Sequence, residues 1–146
     1  AVIKVKEATH KGYAEARIGD SINLSVPGSK TRRGRVGKQI AQTLDTSCNQ
    51  GTPVIIERNH DRESPKDTDG IYVELPDGVV CYCVWYEKEQ CYITIRKLTP
   101  KECFRLQGWT DGYFERAAFV NSDSQLYKQA GNGVTVNVVE AIAKQF

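Results

Sequence analysis

Residues 95–114 read IRKLTPKECFRLQGWTDGYF, and residues 122–146 read SDSQLYKQAGNGVTVNVVEAIAKQF. In the first stretch the spacing of apolar residues changes from a strand's period of two to a helix's 3.6. Thr99 stands where an N-cap belongs, Pro100 at the first helical position and Glu102 at the third, which is a capping box. Leu98 and Cys103 occupy the positions of a hydrophobic staple, and Gly108 offers a left-handed stop. Ser122 and Gln125 repeat the box pattern for a second helix, ended by Gly131. A Gly-Asn-Gly turn then leads to a last helix with Val134, Val138 and Ile142 as its apolar stripe and Val139 and Phe146 beside it. Glu140 and Lys144 form an i,i+4 pair on its polar side.

Upstream of residue 95 the pattern is that of strands. Residues 1–8 alternate apolar and polar, and Ile22, Leu24 and Val26 share one face of a short strand after a loop. QIAQTLDTS at 39–47 and PVIIE at 53–57 read as further extended pieces. Residues 58–70 are almost wholly polar and are expected to form an exposed loop. IYVEL and VVCYCVWY flank a Pro76-Asp77-Gly78 turn, and a polar EKEQ turn leads to CYITI, so a three-strand meander is expected from Ile71 to Ile95. Strands followed by helices give an α+β fold. The division expected is a β-rich region over 1–95 and a helical region over 96–146.

The 146 residues suffice for one ordinary domain. No apolar run approaches the length of a membrane span, and no leader-like start is present. The missing initiator Met fits a processed start, a tag scar or an excised piece. Cys48, Cys81, Cys83, Cys91 and Cys103 are odd in number and contain no C-x-x-C pair, which reads as buried free thiols rather than a zinc site. Cys81 and Cys83 alternate, so they share one strand face. The net charge of +2 is unevenly placed. Residues 28–38, GSKTRRGRVGK, hold Lys30, Arg32, Arg33, Arg35 and Lys38 without an acid, in a segment too rich in glycine for a helix. Such a segment is either a solvated basic loop or a nucleic-acid contact.

Two motifs carry a resemblance to a family. Arg96-Lys97-Leu98-Thr99-Pro100-Lys101-Glu102-Cys103 with Arg105-Leu106-Gln107-Gly108 resembles the ninth motif of DNA (cytosine-5)-methyltransferases of prokaryotic or phage type. Gln125-x-Tyr127-Lys128-Gln129-x-Gly131-Asn132-Gly133-Val134 resembles the tenth, in matching order and spacing. Ile40-Ala41-Gln42-Thr43-Leu44 is similar to the short Thr-Leu segment of the family's target-recognition domain. The resemblance implies that the chain is the C-terminal, target-recognition portion of such an enzyme, which binds double-stranded DNA. It implies that the turn at Asn132, Gly133 and Val134 meets S-adenosylmethionine near its methionine end, once a catalytic domain is present. Where the family often has Ser, this chain has Gly133, so a backbone contact is retained and a hydroxyl contact is not.

The same resemblance gives the basic segment a role. Enzymes that modify a base flip it from the duplex and need clamps on the distorted backbone. Lys30, Arg32, Arg33, Arg35, Lys38 and Thr43 are the expected DNA contacts. Ser47, Asn49 and Gln50 could serve base edges or simply build a turn. The family's nucleophilic cysteine follows a proline, and none of the five cysteines here does, so no catalytic residue is assigned and the chain alone is expected to be inactive. The catalytic part would come from an N-terminal domain or a partner subunit. In the family the last helix packs on that part, which predicts an exposed apolar patch at Val134, Val138 and Ile142. A bacterial or phage-encoded cytoplasmic protein without membrane or metal partners is expected. The alternative is a stand-alone DNA-binding or interaction module without catalysis, whose last helix would be buried within its own fold.

Overall fold

A computed structural model describes residues 2–56, 71–74 and 80–146. The fold is α+β, with strands first and helices last. The expected polar loop at 58–70 and the Pro76-Asp77-Gly78 turn lie outside the described residues. The chain forms two compact units, one of residues 1–40 and 51–96, the other of residues 41–50 and 97–146. The short segment 41–50 thus belongs with the helices.

In the first unit, β1 (Ile3–Lys6) and β2 (Tyr13–Ala16) make an antiparallel ladder from Ile3 opposite Ala16 to Lys6 opposite Tyr13. A six-stranded sheet follows the order β4-β3-β5-β8-β7-β6, from β3 (Ser21–Asn23), β4 (Val36–Gly37), β5 (Gln50–Ile56), β6 (Ile71–Glu74), β7 (Val80–Tyr86) and β8 (Cys91–Lys97). β6, β7 and β8 are the expected meander, both pairs antiparallel. Cys81 and Cys83 do share a buried face, and Cys91 is buried on the next strand. β3 is shorter than the alternation suggested. It stops at Asn23, and Val26 sits at φ 48°, a left-handed conformation no strand contains. Residues 39–47 form no strand either. β2 and β4 have no marked alternation and exist through their partners; Val5, Ala16 and Ile22 make the small core they share with Ile3, Leu24 and Val36.

In the second unit, α1 (Pro100–Leu106), α2 (Asp111–Ala118), α3 (Asp123–Asn132) and α4 (Val136–Ala143) follow in order. The Thr99 box forms in full: the Glu102 N–H donates to Thr99 Oγ1 at 3.3 Å, and the Thr99 N–H donates to Glu102 Oε2 at 2.7 Å. At the far end Gly108 takes φ 82°, its N–H donates to Arg105 O and the Trp109 N–H to Phe104 O, a Schellman stop. The second box does not form, since Ser122 caps α3 without a side-chain bond. α2 is an element the apolar spacing did not announce; Arg105 ties it to α1 by a two-pronged pair with Asp111 at 2.8 and 2.6 Å. Cys48, Cys103, Phe104, Leu126 and Ala130 form the core of this unit, with Leu44, Leu98 and Trp109 packed against it.

Candidate nucleic-acid and cofactor sites

The basic segment is shaped by local bonds before any ligand is considered. Ser29 Oγ accepts from the N–H groups of Thr31 and Arg32, which turns the chain. Lys30 projects into solvent, Arg32 is half-buried, and exposed Arg33 donates through Nε to the Ala8 carbonyl at 2.8 Å. Arg35 departs from the expectation of a DNA contact. It is only 4% exposed, and its guanidinium donates to the carbonyls of Asn23, Pro27, Lys6 and Ser25, with Asn23 and Pro27 both at 3.1 Å. Its own N–H donates to Glu7 Oε1 at 2.6 Å. A guanidinium has five donors in a fixed fork, and here they hold β1, β3 and the following loop together instead of facing outward.

Lys38 keeps an exposed side chain, but its ammonium pairs with buried Asp20 at 3.0 Å and also donates to the Glu15 carbonyl. Burial alone would push the Asp20 carboxyl up. The Arg17 N–H, the Lys38 ammonium and the Gln39 N–H together hold it below the ordinary value. Of the five cations in this segment, Lys30, Arg32 and Arg33 therefore keep the greatest freedom to meet a phosphate.

Thr43 lies in the second unit, in a loop with no regular structure but many bonds. Gln50 is 2% exposed and aims its amide along this loop: Oε1 accepts from the Gln42 N–H at 3.0 Å, while Nε2 donates to the carbonyls of Gln42 and Thr43 at 2.5 and 3.0 Å. These bonds occupy backbone groups that a strand partner would otherwise take. They also leave the Gln50 side chain unavailable to a base edge. Leu44 packs inward, so Thr43 faces solvent. Asp45 Oδ1 accepts from the N–H groups of Ser47 and Asn49, which makes those two residues turn-builders with exposed Ser47 at the apex.

The segment expected to turn at Gly131 remains helical through Asn132, and the turn proper spans Gly133 to Thr135. Gly131 is needed for proximity, not for a left-handed backbone. A Cβ there would collide with the Asp45 carbonyl and lie 2.6 Å from Thr46 Cα. Asn132 and Val134 are exposed. Among the described residues nothing accepts from the N–H groups of Val134 and Thr135, just ahead of the α4 N-terminus. Such groups suit a carboxylate.

The ninth-motif resemblance includes Gln107 but gives it no role, yet Gln107 bonds across this turn. It is buried although the preceding Leu106 is 43% exposed, an inversion of the usual hydropathy order. Its Nε2 donates to the carbonyls of Ala130 at 2.8 Å and Gly133 at 3.3 Å, and its Oε1 accepts from Thr135 Oγ1 at 2.7 Å. Its backbone carbonyl accepts the first N–H of α4, that of Val136, at 2.8 Å.

α4 itself buries nothing. Val138, Val139 and Ile142 are each more than half exposed, Val134 lies open beside them, and Trp109, Val136 and Ala143 line a groove of about 460 Å³ there. This is the apolar patch expected of the last helix. All five cysteines are buried and free, and burial pushes the thiols of Cys48, Cys83, Cys91 and Cys103 up, Cys103 the furthest with Cys48 beside it. Among the described residues no three His, Cys, Asp or Glu side chains gather as metal ligands, and no helix is long and apolar enough to cross a membrane.

Comparison with known proteins adds a family. The family described as C-5 cytosine-specific DNA methylase matches residues 5–146. The chain is 60% identical over 52 residues, 35% of its length, to orphan methyltransferase M.Rho11sI of Bacillus phage rho11s. Orphan methyltransferase M.SPRI of Bacillus phage SPR is 58% identical over 52 residues, again 35% of the chain. Type II methyltransferase M2.ScrFI of Lactococcus lactis subsp. cremoris is 42% identical over 50 residues, 34% of the chain. These matches span 10%, 12% and 14% of the relatives' own lengths. No solved structure matches.

Proposed function

The chain belongs to the C-5 cytosine-specific DNA methylase family, and from that premise we propose that it is the C-terminal, target-recognition portion of a DNA cytosine-5 methyltransferase. It binds duplex DNA and completes a catalytic domain supplied by N-terminal sequence or a partner subunit. S-adenosylmethionine supplies the methyl group. Asn132, Gly133 and Val134 would hold its carboxylate end, for which the free N–H groups of Val134 and Thr135 are suited. Lys30, Arg32 and Arg33 contact phosphates, with Lys38 an auxiliary cation beside Asp20, while Thr43 is presented to the DNA by Gln50. Arg35 holds this surface in shape. The cellular setting is the cytoplasm of a bacterium or of a phage-infected cell, where family members with orphan and type II names are encoded.

The observation that carries this reading is α4. It is the most apolar of the four described helices and has no buried residue. A patch of that kind is what a docking partner covers, and it disfavours the stand-alone module. A mixing assay tests the reading, with S-adenosylmethionine, labelled duplex DNA and the chain, with or without a separately expressed catalytic portion of a phage relative. Methyl transfer is expected in the mixture alone. Salt-sensitive DNA binding by the chain without transfer in any mixture would favour the stand-alone module instead.

A further inference from the structure

We infer that Gln107 is a positioning residue for the cofactor turn: its amide fixes the backbone of residues 133–135 in the form that binds S-adenosylmethionine, an inference that rests on the reading of this turn given above. The geometry is particular. Three backbone or hydroxyl groups converge on one side-chain amide: the Ala130 carbonyl from the end of α3, the Gly133 carbonyl at the bend, and the Thr135 hydroxyl at the cap of α4. The main chain of the same residue accepts the Val136 N–H that starts α4. Gln107 thereby bonds to the end of α3, to the bend and to the start of α4.

Among the described residues no other side chain bonds to both Gly133 and Thr135. Thr135 caps α4 without a side-chain bond to the helix, because its hydroxyl is turned to Gln107 instead. Gly133 adopts φ −69° and ψ 152°, an extended conformation open to any residue, so the bend is not enforced by glycine itself. The loop is therefore held in one conformation by a buried donor–acceptor pair, and that is the device by which a binding loop is preorganised. Among the described residues the N–H groups of Val134 and Thr135 stay unbonded within this clamped loop.

Three variants of the full chain test this: Gln107→Met, which keeps the length without the bonds; Gln107→Glu, which still accepts from Thr135 but cannot donate; and Thr135→Val, which removes one bond. In the chain alone, amide exchange at Val136 should rise at least tenfold in Gln107→Met while that of Leu126 in α3 stays put. In the mixture with a catalytic portion, KM for S-adenosylmethionine should rise at least tenfold, with kcat and KM for DNA within twofold. Gln107→Glu and Thr135→Val should fall between wild type and Gln107→Met. Unchanged exchange at Val136 overturns the inference, as does faster exchange with an unaltered cofactor KM. Equal acceleration at Leu126 and Val136 overturns it too, since that marks general loosening. If the wild-type mixture transfers no methyl group, the parent reading falls and takes this inference with it. The exchange data separate that outcome from a failure of the clamp.

Discussion

Residues 28–38 carry five cations and residues 131–135 carry none, yet the second segment keeps its binding groups freer than the first. Arg35 and Lys38 are engaged within the fold, the one by carbonyls and the other by Asp20. In the turn, the Ala130 and Gly133 carbonyls and the Thr135 hydroxyl are occupied by Gln107, and the N–H groups of Val134 and Thr135 are left open. Charge shows which residues are chemically able to bind. Burial and prior hydrogen bonds decide which are available.

Arg35 gives the largest expected effect. Arg35→Met removes a buried guanidinium's donors from part-buried carbonyls in three neighbouring segments. It should cost about 3 kcal/mol, the scale of losing hydrogen bonds made by a charged group, read as a lower denaturant midpoint at constant slope. The same change at Lys30 should leave the midpoint alone. A stable Arg35→Met protein with weakened DNA binding would reverse the assignment and return Arg35 to the binding surface.

Gly131 and Gly133 sharpen the contrast inside the turn. Helix propensity favours Gly131→Ala by about 1 kcal/mol, but the new methyl would strike the backbone of Asp45 and Thr46, which cannot swing away as a side chain can. Overpacking of this kind costs about 1–3 kcal/mol, so net destabilisation is expected in thermal unfolding. Gly133→Ser, with its Cβ 3.2 Å from the Gln129 carbonyl and no left-handed backbone, should cost under about 1 kcal/mol. A neutral Gly131→Ala would mean that the 41–50 loop yields, and that Thr43 is less firmly presented than its bonds suggest.

What was legible in the sequence was local. Thr99, Pro100, Glu102 and Gly108 define a helix through contacts within ten residues, and α1 forms as they dictate. The meander was legible because three alternating runs follow one another. At Ser122 and Gln125 the same pattern gives a cap without its side-chain bond. Arg35 was illegible because its carbonyl partners at Lys6, Asn23, Ser25 and Pro27 are brought to it only by the pairing of short strands. Gln50 and Gln107 were illegible as clamps for a similar reason. An amide becomes a clamp only when folding brings backbone donors and acceptors to both its ends, and no residue type announces that. The exposed face of α4 could be anticipated only through the family resemblance.

Asp20 and Lys38 offer a pH test of the same distinction. The folded-state pKa of Asp20 is lowered, so its contribution is present above the ordinary value of 3.8 and is lost as pH falls through the depressed folded value. Asp20→Asn should flatten the acid limb of the stability profile below about pH 4. Lys38→Met should flatten part of the same limb, since the Arg17 and Gln39 N–H groups remain on Asp20; if Lys38 were instead a free DNA contact, Lys38→Met would leave the limb unaltered.

The smallest expected effect discriminates most finely among the cations themselves. Among the described residues Lys30 has no side-chain bond to lose, so Lys30→Ala should change stability by less than about 0.5 kcal/mol. If it neutralises one phosphate, the slope of log affinity against log salt should fall by about 0.9. Arg33→Ala should lower the slope similarly but also cost stability, because Arg33 Nε holds the Ala8 carbonyl. Measured together on one duplex, the two variants separate a residue that only binds from one that binds and braces. Equal stabilities with unequal slopes would place the phosphate contact on whichever residue lowers the slope. Equal slopes with unequal stabilities would place both on the DNA and confirm that Arg33 does two things at once.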